Sequence, residues 1–145
     1  MASTHLKHNA TGYADALVCE AEGLERLASA LDEAGVTDAR VVLMTAPDRA
    51  VAEALAEAVM RARLAACVSL VPGLESVYWW QGQIERAQEV LLLMKTTAER
   101  VEPLIARVAE LHPYEVPELL ALPVDAGLPA YLEWVRAECL PAGDE

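Results

Sequence analysis

Apolar positions along this chain fall into blocks of two kinds, and their alternation sets out the elements. Val41-Val42-Leu43-Met44 is a short, continuously apolar run ending at Thr45-Ala46-Pro47-Asp48, which reads as a buried strand followed by a residue able to cap a helix. From Arg49 to Arg63, Val51, Leu55, Ala58, Val59 and Ala62 recur at helical spacing, and the pattern returns to strand at Ala66 to Leu70. That strand runs on through Pro72-Gly73 into Ser76-Val77-Tyr78-Trp79-Trp80, so one long bent strand and two short ones both fit. Gln81-Gly82-Gln83 reads as the turn, after which Ile84-Glu85 and Val90 to Lys95 come back as the partner strand. The hairpin is too long for one small sheet to cover.

A second long helix follows, with Val101, Leu104, Ile105, Val108 and Leu111 on its stripe. Thr96 and Glu99 have capping-box spacing, and Pro103 should distort the first turns or push the helix start later. Glu118 to Leu122 is another apolar strand, and Pro123 marks its end or a sheet edge. Pro129 fits the first turn of a last short helix through Leu132, Trp134, Val135 and Cys139. The order predicts an α+β, ferredoxin-like βαββαβ fold: an antiparallel sheet with both long helices on one face, a long hairpin between the second and third strands, and a C-terminal helix.

Such a sheet should alternate apolar with polar residues, yet the runs at Val41, Val90 and Leu119 are apolar at consecutive positions. Trp79 and Trp80 likewise point to opposite faces. Something must cover the second face, and another copy of the same chain is the economical answer.

Residues 1–38 are expected to form an N-terminal extension, a mobile tail and then an amphipathic helix over Tyr13 to Ala34 that Gly23 weakens. Residues 39–145 form the domain. With 145 residues, 54% of them apolar, one core is well supplied. The formal charge of −12 argues against a nucleic-acid partner. Cys19, Cys67 and Cys139 are odd in number and widely spaced, no secretory signal or membrane span is legible, and a cytoplasmic protein is expected.

The densest chemistry lies in Glu110-Leu111-His112-Pro113-Tyr114-Glu115-Val116-Pro117-Glu118. Pro113 expels His112 from the helical region, leaving the imidazole free to turn outward, while Pro117 stiffens the approach to the last strand. His112 is open to two roles, a metal ligand or a loop histidine bonded to backbone or to a carboxylate. No nucleophile, base and orienter stand at informative spacing, so an enzyme is not expected.

Three motifs in order, Thr45-Ala46-Pro47-Asp48, Leu64-Ala65-Ala66-Cys67-Val68 with Tyr78-Trp79-Trp80-Gln81-Gly82, and His112 through Glu118, closely resemble the CutA family of divalent-cation tolerance proteins over about Arg40 to Leu140. The resemblance implies a homotrimer like the PII signal-transduction proteins and a role in the response to copper or another divalent cation. In some members a cysteine precedes the first motif and a second histidine precedes the last; Met44 and Leu111 stand there in this chain. On this resemblance the metal candidates are His112, Cys67, Glu115 and Glu118. The alternative is a PII-like module that binds a small molecule or partner protein in an inter-subunit cleft lined by Tyr78, Trp80, Lys95 and Tyr114.

Overall fold

The computed structural model describes residues 37–140. The expected N-terminal helix lies outside the described residues. The elements run β1 (Ala39–Ala46), α1 (Arg49–Arg61), β2 (Cys67–Trp80), β3 (Gln83–Thr97), a 3-10 turn (Ala98–Arg100), α2 (Val101–Leu111), β4 (Leu119–Pro123) and α3 (Pro129–Glu138). The sheet order is β2-β3-β1-β4, and every pairing is antiparallel. This is the predicted α+β, ferredoxin-like arrangement, with Pro123 at the end of an edge strand that tolerates a missing donor.

Asp48 caps α1 as its position suggests, accepting the Val51 backbone N–H at 2.9 Å. The helix stops two residues short of Arg63, whose φ of 56° turns the chain back while the Leu64 N–H reaches the Val59 carbonyl. Ala52, Leu55 and Val59 are its buried positions, so Ala58 and Ala62 lie beside the packed stripe. The capping box is not formed. Thr96 belongs to β3, is wholly buried, and donates its hydroxyl to the Leu64 carbonyl at 2.6 Å. The 3-10 turn and α2 start without side-chain caps, and Pro103 is accommodated in the first turn of α2, where its missing N–H has no helical partner to lose.

One core lies between the helices and one face of the sheet. Val42, Met44, Leu92 and Met94 point into it from adjacent strands and meet Leu55, Val59, Leu104 and Val108. α3 crosses the far end of the sheet, burying Val135 and Cys139 against Ala66. The opposite face carries Val41, Leu43, Leu91 and Leu93, half-buried, with Leu120 and Leu122 53% and 44% exposed.

β2 is one long strand with a bulge between Val71 and Leu74, where Gly73 adopts a φ of 83°. Its outer part, Leu74–Trp80 paired with Gln83–Glu89, extends past the last residue of β1. The turn is tighter than the sequence suggests. Gln81 and Gly82 alone form it, with φ of 50° and 77°, the two left-handed residues whose twist matches a hairpin, and Gln83 already pairs with Trp80. Trp79 and Trp80 at the tip are 72% and 60% exposed.

Candidate functional site

The densest chemistry of the sequence converges where α2 ends against the end of β1. Pro113 forces the preceding residue out of the helix, and His112 is extended at φ −69° and ψ 137°. Its ring turns inward, against the expectation, and is only 7% exposed. Nδ1 accepts the Tyr114 backbone N–H at 3.0 Å, so the ring proton sits on Nε2, which donates to the Thr45 carbonyl at 2.8 Å. Both nitrogens are committed, and the imidazole is the clamp that ties the loop to the Thr45-Ala46-Pro47-Asp48 segment.

Tyr114 continues the chain of contacts. Its ring lies 4.7 Å from the His112 ring at a tilt of 50°, and its hydroxyl donates to Glu89 Oε2 at 3.0 Å. Desolvation raises the phenol pKa to about 12, and the Glu89 carboxylate that accepts its proton adds to the shift, with smaller repulsions from Tyr78 and Asp48. Tyr114 therefore remains a donor at all physiological pH values. Glu89 is the member that sequence reasoning missed, because an acidic residue at the start of an apolar strand looks like the end of the solvated hairpin rather than a buried acceptor.

The metal candidates do not gather within one chain. Thr45, which holds His112, stands opposite Leu91 of β3, whereas Cys67 stands opposite Lys95 on the other flank of that strand. Four residues along β3 and two strand spacings across put these positions roughly 16 Å apart. Cys67 meets the Tyr131 hydroxyl at 3.4 Å instead, and that contact, with burial, pushes the Tyr131 phenol up to about 12. Glu115 and Glu118 are exposed on the loop. Met44, in the place of the relatives' cysteine, is wholly buried in the core. Among the described residues no three His, Cys, Asp or Glu side chains are placed to hold an ion. Of the cleft candidates, Tyr78 and Tyr114 come near each other, while Trp80 is at the hairpin tip and Lys95 at the inner end of β3.

The model of the CutA1 divalent ion tolerance protein family matches residues 40–138. The chain belongs to the CutA1 divalent ion tolerance family. This CutA1 chain is 52% identical over 96 residues to the divalent-cation tolerance protein CutA of Thermus thermophilus, spanning 66% of this chain and 93% of that protein. It is 46% identical over 100 residues to that of Pectobacterium atrosepticum, spanning 69% and 91%. Its backbone is similar to the crystal structure of CutA from Xylella fastidiosa, with a TM-score of 0.70 at 45% identity, covering 71% of this chain and 99% of that one. The structure of the periplasmic divalent cation tolerance protein CutA from Archaeoglobus fulgidus gives 0.69 at 32% identity, covering 70% and 99%. Among the described residues no helix is long and apolar enough to cross a membrane.

Proposed function

We propose that this CutA1-family chain works in the cytoplasm as a non-enzymatic homotrimer serving tolerance of divalent metal ions, copper included, by binding them. The open sheet face is the observation that carries the assembly. Leucine and valine side chains line it on all four strands, the described residues leave it uncovered, and the hairpin extends beyond the sheet as an arm able to reach another subunit. The working unit is the domain from residue 39 onward, to which the 1–38 extension is an accessory. The free thiols of Cys67 and Cys139 accord with a reducing compartment.

The described residues of one chain do not bring three donors together, and in this reading an ion lies between subunits. Glu115 and Glu118 offer oxygen donors, Cys67 a soft sulfur suited to copper, and His112 joins by exchanging its bond to Thr45 for the ion. Full occupation of both His112 nitrogens favours a second reading, a PII-like regulatory module. There His112 is purely structural, and a cleft bounded by Tyr78, Trp80, Lys95 and Tyr114 takes a small molecule or partner protein. Isothermal titration of Cu(II) and Zn(II) into the chain and into its His112→Ala variant separates the two. Binding lost with the histidine, in a variant that keeps its circular dichroism, is expected; heat from neither metal overturns the metal reading in favour of the cleft.

A further inference from the structure

Two charges on the open sheet face have no opposite charge beside them among the described residues. Glu89, Leu91, Leu93 and Lys95 alternate along β3 with the buried Val90, Leu92 and Met94, so they stand on the side away from the helices. Glu89 is 9% exposed, and the Tyr114 hydroxyl is its sole partner among the described residues. A neutral phenol satisfies one oxygen without balancing the charge. The other oxygen is not sealed in, since Arg100 Nη2 is the one buried side-chain nitrogen or oxygen without a partner among the described residues. Lys95 Nζ donates to Ser69 Oγ at 2.7 Å and to the Leu93 carbonyl at 3.3 Å, and pairs with no carboxylate. Arg63, Arg86 and Arg136, by contrast, each hold one.

The two orphans cannot meet within the chain, because six residues of extended strand hold them about 20 Å apart. Once another copy covers this face, both leave water together. An unpaired buried charge is costly, whereas a hydrogen-bonded pair recovers much of that cost. We infer that Glu89 of one subunit receives the Lys95 ammonium of the next, with Leu91 and Leu93 between them excluding water. The inference rests on the homotrimer reading and adds the contact that fixes its register. Each subunit supplies one carboxylate and one ammonium at separate points of the same strand, so repeating a single contact closes a ring. The exposed carboxylates elsewhere stay hydrated and need no such partner.

A double-mutant cycle of Glu89→Gln and Lys95→Met tests it, read as the trimer dissociation constant from sedimentation of serial dilutions in a fixed guanidinium concentration. Each single change should raise that constant by roughly tenfold or more, and the double variant should be no worse than the weaker single. Exchanging the charges in one chain, Glu89→Lys with Lys95→Glu, should restore most of the loss. Single losses that multiply in the double variant, or singles that leave the constant unchanged, overturn the pair while the homotrimer stands. An unaltered chain that sediments as a monomer overturns both. Should Glu89→Gln disturb Tyr114 and unfold the loop, Lys95→Met decides alone: a trimer as tight as the original overturns the pair.

Discussion

The two faces of this sheet both carry a block of aliphatic side chains, and the two blocks end in opposite circumstances. On the helix side Val42, Met44, Leu92 and Met94 are wholly buried. On the other, Leu43 and Leu93 are half-buried and Leu122 is 44% exposed. For these aliphatic side chains the difference does not lie in hydrophobicity. It lies in whether the chain itself supplies the second layer: α1 and α2 do so for one face, and nothing among the described residues does so for the other. An apolar strand pattern therefore reports that a face is to be covered, not by what.

The sharpest way to break the comparison is to charge the open side. Leu122→Asp and Trp80→Glu should each abolish assembly in size-exclusion chromatography, because a carboxylate would be buried there without a partner. A stable trimer carrying either change would mean that the face is never closed. On the helix side, Leu92→Ala should lower the unfolding free energy by about 2–5 kcal/mol in a denaturant titration, by lost transfer energy and the cavity left behind. It should leave the subunit count unchanged, the reverse of the first pair.

The hairpin root gives a smaller, pH-dependent effect. Tyr114 has its pKa raised from 10.0 to about 12, so folding favours the neutral phenol. Its contribution is fully present below about pH 10 and is lost as the pH climbs through 12. Tyr131 titrates over the same window, with its pKa also raised to about 12. Tyr114→Phe should thus flatten part of the alkaline fall in stability measured by denaturant midpoints, and an unchanged slope would show that the phenol is neither desolvated nor held by Glu89 in solution. Least of all, Glu85→Ala, on the exposed outer hairpin, should alter stability by less than about 0.5 kcal/mol. A larger loss would show that Glu85 itself takes part in the contact that the hairpin makes with its neighbour.

The chain's local rules were legible wherever one residue's own geometry decides the outcome. Asp48 caps α1, Pro113 ends α2 at His112, Pro129 opens α3, and the period of apolar residues places all four strands. Misreadings arose where a distant partner competes for the same group. Thr96 has the spacing of a cap, but its hydroxyl is taken by the carbonyl of Leu64, 32 positions away in sequence. His112 looked free because Pro113 governs only its backbone. The direction of its ring is set by the carbonyl of Thr45, 67 positions away.

By itself, then, the sequence determined the element order, the fold class, the family and the apolar strands on both sides of the sheet, because these follow from backbone preference, apolar periodicity and local motifs read along the chain. Tertiary structure decided that the histidine is a clamp, that Glu89 rather than Glu115 or Glu118 meets Tyr114, and that Cys67 sits across the sheet from His112. Those outcomes depend on which strands become neighbours and in what register, and on competition among hydrogen-bonding groups far apart in sequence, which residue spacing does not encode.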